Sequence, residues 1–172
     1  MLRRVFKRRR DGRFDVRLAA DGRDLLRTLA PRVAEMVADE QSVESNPAVS
    51  RMFPVAYPEA QDADRQTEYR LLVHDELRAS HLAALETLIA GAEATVIDAV
   101  ELGSWMRAVN GIRLVLGTRL DITDDDIPDE TGPPEGGDMR VIYDFLSWLT
   151  AEMVEALEPE LDPAGSEETD AG

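Results

Sequence analysis

Two histidines in the middle of the chain, His74 and His81, are the residues best suited to acid–base or metal chemistry. Because they are seven residues apart, they lie about 20° apart on one face of a continuous helix, the face that also carries Leu77, Leu85 and Leu88. The two imidazoles are then about 10 Å apart along the axis, so a metal would need a further ligand from another helix. We predict inward-facing, hydrogen-bonded histidines, with a pH-sensitive contact or a ligand site as the alternatives.

An acidic run is the second candidate, and it consists of Asp121, Asp124, Asp125, Asp126, Asp129 and Glu130. A calcium loop needs alternating ligands, a central glycine and a terminal glutamate. Here three aspartates are consecutive and Ile127-Pro128 follows them. The run therefore predicts a solvated loop, and no metal site.

Several classes of chemistry are excluded by what the sequence lacks. There is no cysteine, which excludes disulfides, thiolate nucleophiles, cysteine-bound zinc and iron–sulfur clusters within this chain. The glycine-rich nucleotide fingerprint, the phosphate loop, the nucleophile elbow and the metalloprotease motif are also missing. We therefore expect a protein that is not an enzyme and uses no cofactor.

The charge divides the chain into a basic beginning and an acidic remainder. Residues 1–32 carry a net charge of +7 and residues 33–172 carry −23, which together give −16. This asymmetry favours contact of the basic part with nucleic acid or a membrane, or its neutralisation on the protein's own acidic surface. No apolar stretch approaches the ~18 residues of a membrane span, and no signal-peptide pattern is present, so we expect a cytoplasmic protein without membrane contact.

The turn signal Asp11-Gly12 predicts a β-hairpin over about residues 3–20, because a two-residue type I′ turn needs positive φ at both central positions. Pairing outward from this turn places Arg8 opposite Asp15. One outward face then carries the candidate contact residues Arg8, Arg10, Arg13 and Arg17. Arginine suits planar contacts to phosphate or carboxylate, so DNA, an acidic protein and the chain's own body all remain candidate partners for this face.

The rest of the chain predicts four amphipathic helical regions. The first has Asp21 as its N-cap and contains Pro31, which should kink or split it, and a later one begins near Asp98. That later helix carries an apolar stripe of period about 3.6, formed by Leu102, Trp105, Val109, Ile112, Leu116 and Leu120. We predict a mainly α fold, a four-to-five-helix bundle with a short N-terminal β-hairpin. A single domain should cover 1–157, and 158–172 should be an acidic disordered tail.

Three stretches carry a resemblance to a known family: residues 77–82 (LRASHL), 105–120 (WMRAVNGIRLVLGTRL) and 145–149 (FLSWL). Together with the basic beginning and the long central helix, they resemble the actinobacterial family catalogued as domain of unknown function 2017, over most of 1–157. Genes of this family often lie near the gene for the Clp-protease adaptor ClpS. Some members are regarded as oxidative-stress transcriptional regulators in which a cysteine pair senses oxidation. The resemblance implies a regulator linked to transcription, and the missing cysteines exclude thiol sensing here.

The helix with the Trp-x-x-x-Val-Asn-x-x-Arg pattern supplies the candidate partner or structural motif, namely Trp105, Asn110, Arg113 and Arg119. Asn110 and Arg113 project to the side of the apolar stripe. We expect Arg113 or Arg119 to pair with a carboxylate of the last helix, at Asp138, Asp144 or Glu152. An effector or partner site is the alternative.

Two interpretations of function follow. The leading one is a regulatory protein that contacts another protein, either the transcription machinery or a second copy, with DNA contact by the hairpin as a second route. The alternative is an adaptor module, homodimeric or not, that makes no DNA contact. Trp148 and Val141 lie to one side of the apolar stripe of the last helix and predict a self-association surface.

Overall fold

The structure is a computed structural model that describes residues 4–53, 63–120 and 137–158. The elements are β1 (Phe6–Arg8), β2 (Phe14–Val16), α1 (Ala20–Ala38), α2 (Glu40–Ser45), α3 (Pro47–Ser50), α4 (Ala63–Gly91), β3 (Val96–Ile97), α5 (Ala99–Arg119) and α6 (Gly137–Leu157). The predicted fold class is confirmed, since the protein is mainly helical with an N-terminal antiparallel hairpin. The acidic run at 121–130 and the tail beyond Glu158 lie outside the described residues, so the predicted loop and domain boundary stay predictions.

Helix α5 begins where the sequence predicts, directly after Asp98. The Asp98 carboxylate accepts a 2.8 Å hydrogen bond from the backbone N–H of Glu101, and the Glu101 carboxylate accepts one of 2.8 Å from the N–H of Asp98. This reciprocal capping box satisfies two backbone donors at the helix start. The predicted stripe is buried from Leu102 to Leu116, and α1, α3, α4 and α6 all pack on α5.

Helix α1 differs from the prediction at its start and at its proline. Its N-cap is Ala19, and Asp21 lies in the first turn, where a carboxylate is favoured by the helix dipole. The helix also continues through Pro31 without interruption. A proline inside a helix costs about 3 kcal/mol, but buried side chains on both sides of it, Ala30 and Val33, hold the segment on the core.

The hairpin forms, but its register is one residue away from the predicted one. Phe6 pairs with Val16 and Arg8 with Phe14, so Arg8 is not opposite Asp15. Because side chains alternate across a strand, a shift of one residue exchanges the faces of one strand relative to the other. The two phenylalanines therefore share the buried face.

The loop explains this register. The N–H of Arg9 donates to the carbonyl of Arg13 at 2.7 Å, and the N–H of Gly12 donates to the carbonyl of Arg9 at 3.1 Å. Gly12 has a φ of 82°, in the left-handed region that glycine adopts without steric cost. This is the three-residue hairpin loop with a left-handed glycine, not the predicted two-residue turn.

A short third strand completes the sheet, in the order β1-β2-β3. β3 pairs antiparallel with β2, with Phe14 opposite Ile97, and both side chains are buried in the core that the sheet shares with the helices. Among the described residues, no helix is both long and apolar enough to cross a lipid bilayer.

Candidate functional site

The four arginines predicted to share one face of the hairpin are separated by the observed register. Arg8 lies opposite Phe14, with its guanidinium carbon 5.2 Å from the ring centroid, in a cation–π contact. Arg10 and Arg13 lie at the loop, and Arg17 follows β2 with its backbone N–H bonded to the carbonyl of Val5. The predicted single face of Arg8, Arg10, Arg13 and Arg17 is therefore wrong, because the loop has one residue more than the turn on which it was based.

Two aspartates of the hairpin neutralise much of its positive charge. The Asp11 carboxylate accepts hydrogen bonds from Nη2 and Nε of Arg13 at 2.7 and 2.9 Å. These bonds from Arg13 lower the pKa of Asp11 below its ordinary value. Oδ1 of Asp15 lies 3.4 Å from Nη1 of Arg9, and Oδ2 of Asp15 lies 3.9 Å from Nη2 of Arg17. The hairpin is thus neutralised largely by its own aspartates, whereas the sequence alternative placed this neutralisation on the acidic remainder of the chain, which contributes the Arg4–Glu155 pair.

Three cations of the hairpin remain without a carboxylate partner in the described part of the chain: Lys7, Arg8 and Arg10. All three are exposed. Two of them, Lys7 and Arg8, line a cleft of about 210 Å³ together with Arg4 and Phe6, and the opposite wall is the end of α6. The hairpin therefore keeps three exposed cations, Lys7, Arg8 and Arg10.

The segment before β1 is fastened to α6. The backbone N–H of Val5 donates to the Glu152 carboxylate at 3.0 Å, and Arg4 forms a 2.7 Å ion pair with Glu155. The Arg4–Glu155 pair is exposed and contributes little stability. The Val5–Glu152 bond is partly buried and fixes where β1 lies on the helix.

Trp105 belongs to the core and presents no surface to a partner. Its side chain is fully buried, and its ring meets Phe6 edge-on at a centroid distance of 6.4 Å and an angle of 86°. A Cβ on Gly91 would lie 3.1 Å from the indole Cζ2, so the helices approach closely there. Within the described residues the indole N–H has no hydrogen-bond partner.

The other motif residues contact α5 itself or α1. Arg113 donates from Nη2 to the side-chain oxygen of Asn110 at 3.0 Å, one turn earlier on the same helix. Arg119 lies with its Nη2 4.0 Å from the sulfur of Met36. In the described ranges neither arginine forms an ion pair with α6, so the predicted pairing is wrong.

The three carboxylates of α6 that were the predicted partners have other surroundings. Asp144 pairs with Arg140 of its own helix, and Glu152 accepts a hydrogen bond from the backbone N–H of Val5. Asp138 forms no ion pair with any described residue.

The two histidines enclose Phe53. The Phe53 ring stacks on the His74 ring at a centroid distance of 5.0 Å, and it meets the His81 ring edge-on at a centroid distance of 5.4 Å. His81 donates from Nε2 to the carbonyl of Met52 at 2.9 Å, which confirms the predicted hydrogen-bonded histidine at this position. Burial lowers the pKa of His81 below its ordinary value of 6.5. No group of three metal-ligating side chains occurs among the residues described.

Arg23 has a structural role that the sequence does not reveal. Its guanidinium donates to the carbonyls of Ala92 at 2.6 Å, Ala94 at 3.0 Å, Leu18 at 3.2 Å and Val16 at 3.3 Å. One side chain of α1 thus joins β2 to the turn between α4 and β3. In sequence it is one of eleven basic residues in the first 32, and no local pattern distinguishes it.

The fold and its surfaces define a helical-bundle protein that carries a small basic hairpin. The sequence model of the family described as Domain of unknown function (DUF2017) matches residues 3–157. The chain therefore belongs to this family. No curated protein and no solved structure shows significant similarity to it.

Proposed function

We propose that this protein is a non-enzymatic, cytoplasmic regulatory protein linked to transcription, and that it acts by binding another macromolecule through its hairpin. The link to transcription is what the family resemblance implies. The observation that supports a binding role is the exposure of Lys7, Arg8 and Arg10 without carboxylate partners in the described chain. An exposed cation without a carboxylate partner is able to contact a phosphate or a carboxylate of another molecule.

An acidic protein surface is the leading partner. A protein that makes about 6–10 phosphate contacts gains much of its DNA affinity from them, whereas the described part of the hairpin keeps three cations without a carboxylate partner. The remainder of the chain, with its charge of −23 over residues 33–172, also repels DNA. A protein partner needs only a few well-placed carboxylates, which three exposed cations are able to engage.

DNA contact by the hairpin is the second route, and it is tested by electrophoretic titration of promoter DNA at two salt concentrations. Three phosphate contacts predict a slope of log K against log salt of about −2.7. The slope should vanish in the variant Lys7→Ala, Arg8→Ala, Arg10→Ala. A matched variant with alanine at Arg32, Arg51 and Arg107, which are exposed on other elements, removes the same charge and should keep the slope. Absence of binding even at low salt would reject direct DNA contact, and would leave the two interpretations without it, a regulator that binds a protein and an adaptor module.

The protein-binding route is tested by affinity capture with quantitative mass spectrometry. The full chain and the matched variant should retain a component of the transcription machinery that the hairpin variant loses. If the three proteins capture the same set, the hairpin is not the contact surface.

A further inference from the structure

The last residue that the structure describes lies at the cleft beside the hairpin. Glu158 lines this cleft of about 210 Å³ on the α6 side, and Lys7 and Arg8 line it on the β1 side. Neither of these two cations has a carboxylate partner among the described residues. Residues 159–172, which we call the acidic tail, therefore start in the same cleft as two cations that are able to accept a carboxylate.

The described walls of the cleft carry more positive than negative charge. Arg4 and Glu155 neutralise each other in a 2.7 Å ion pair. Among the described lining residues, Lys7 and Arg8 then remain against the single carboxylate of Glu158. A further anionic group is therefore complementary in charge to the cleft.

The acidic tail has the composition that complements this cleft. It contains no basic residue and five carboxylates, namely Glu160, Asp162, Glu167, Glu168 and Asp170. Its one large apolar residue is Leu161, so burial of apolar surface contributes little and charge dominates any contact. A contact of this kind needs no fixed structure of the tail, in agreement with the prediction from its composition.

The length of the chain keeps the first carboxylates of the tail near the cleft. An extended chain spans at most about 3.6 Å per residue, so the Cα atoms of Glu160 and Asp162 lie within about 7 and 14 Å of that of Glu158. Such a short tether raises the local concentration of these carboxylates at the cleft. Several exposed ion pairs, each of them weak alone, are then able to act together.

The other acidic run of the sequence, at 121–130, starts from the far end of α6. This helix has 21 residues and is about 30 Å long, and the cleft lies at its C-terminal end. The run precedes its N-terminal end, where α5 also ends, because a Cβ on Gly117 would lie 3.1 Å from Cε2 of Tyr143. The tail is therefore the better placed of the two acidic segments.

We infer that the acidic tail binds the hairpin of its own chain, with its carboxylates on Lys7 and Arg8 and on Arg10, two residues further along. The contact needs no second molecule, so it holds or fails independently of the proposed function. Its consequence rests on the proposed function, because a tail that occupies these cations competes with an acidic partner for them. The tail would then limit the binding that the hairpin provides.

The test places a nitroxide spin label on Ser166→Cys in the full chain, which has no other cysteine. Paramagnetic broadening of the backbone amides of residues 6–10 in the NMR spectrum reports how close the tail comes to the hairpin. The hairpin variant, with alanine at Lys7, Arg8 and Arg10, should reduce this broadening at least about threefold, because several weak pairs are lost together. The matched variant with alanine at three arginines of other elements should keep it.

Neutralising the tail tests the same contact without changing any described residue. Amides in place of its five carboxylates should reduce the broadening by the same factor, and so should salt of about 1 M, which screens charges beyond about 3 Å. The matched control neutralises five carboxylates of the other acidic run and should keep the broadening. These five are Asp124, Asp125, Asp126, Asp129 and Glu130.

Three results would overturn the inference. The first is an absence of broadening at the hairpin amides of the labelled chain at low salt. The second is equal broadening in the hairpin variant and the matched variant, or in the two amide variants. The third is broadening that persists when spin-labelled chains are mixed with isotope-labelled chains that carry no nitroxide, because the contact would then join two copies.

Discussion

Arg23 donates a 2.6 Å hydrogen bond from Nη1 to the carbonyl of Ala92, a residue 69 positions later in the chain. The same guanidinium binds the carbonyl of Val16 at the end of β2. A planar guanidinium with five donors is able to satisfy several carbonyls at once. This one side chain therefore fixes the sheet against both α1 and the end of α4.

Replacing Arg23 by methionine should lower the free energy of unfolding by about 2–4 kcal/mol, because partly buried carbonyls lose their donors. Urea denaturation followed by circular dichroism measures the change. Arg32→Met, at an exposed position of the same helix, is the control and should change stability by less than about 0.5 kcal/mol. Equal effects of the two substitutions would show that the carbonyl contacts of Arg23 contribute nothing.

Two glycines with equally open surroundings should respond to alanine in opposite directions. A Cβ on Gly12 or on Gly103 would meet no atom within 4 Å, but only Gly12 has a positive φ, of 82°. Gly12→Ala should destabilise the protein by about 1 kcal/mol, since a side chain is strained in the left-handed region. Gly103→Ala, inside α5, should stabilise it by about 0.5–1 kcal/mol. Thermal unfolding of the two variants checks both signs, and a stabilising Gly12→Ala would contradict the loop geometry.

Protonation of His81 should destabilise the fold. Because burial lowers the pKa of His81 below 6.5 in the folded state, the unfolded chain takes up the proton first as the pH falls. The stability contributed by neutral His81 is therefore fully present above pH 6.5 and is lost as the pH falls through 6.5 towards the lower folded pKa.

His81→Gln keeps a donor for the carbonyl of Met52 but does not titrate. Comparing this variant with the wild type therefore separates the pH dependence caused by His81 from the pH dependence caused by the many carboxylates. Denaturation of both proteins at a series of pH values should show the wild type losing stability relative to the variant below pH 6.5. A difference between the two that does not change with pH would refute the lowered pKa.

Glu152 should protect the backbone N–H of Val5, directly before β1, from hydrogen exchange. Glu152→Ala removes the acceptor of the 3.0 Å bond from the Val5 N–H, so hydrogen exchange at that amide should become faster by about tenfold, which corresponds to about 1.4 kcal/mol. Glu152→Gln keeps an acceptor oxygen and should retain most of the protection. Glu155→Ala removes only the exposed pair with Arg4 and should have little effect. Unchanged exchange in Glu152→Ala would show that the amide is protected by the sheet alone.

The local signals of the sequence are enough to predict the helices and the presence of the hairpin. Asp98 followed by Glu101 marks the start of α5, and the period of the stripe from Leu102 to Leu116 identifies its buried face. These features depend on residues within a few positions of each other, which is the range over which caps and periodicity act. The same local view identifies Asp11-Gly12 as a turn but does not distinguish a two-residue loop from a three-residue loop.

The sequence by itself therefore determined the mainly helical class, the hairpin and the exclusion of cysteine chemistry, because these follow from composition and from short-range pattern. Only the tertiary structure decided which cations of the hairpin stay unpaired, that Trp105 lies in the core against Phe6, and that Arg23 binds the carbonyl of Ala92. The first depends on the register of the hairpin, which sets the contacts of Asp11 and Asp15, and the other two depend on contacts between residues far apart in the chain. Such contacts are selected by the packing of whole elements, and no local pattern in the sequence records them.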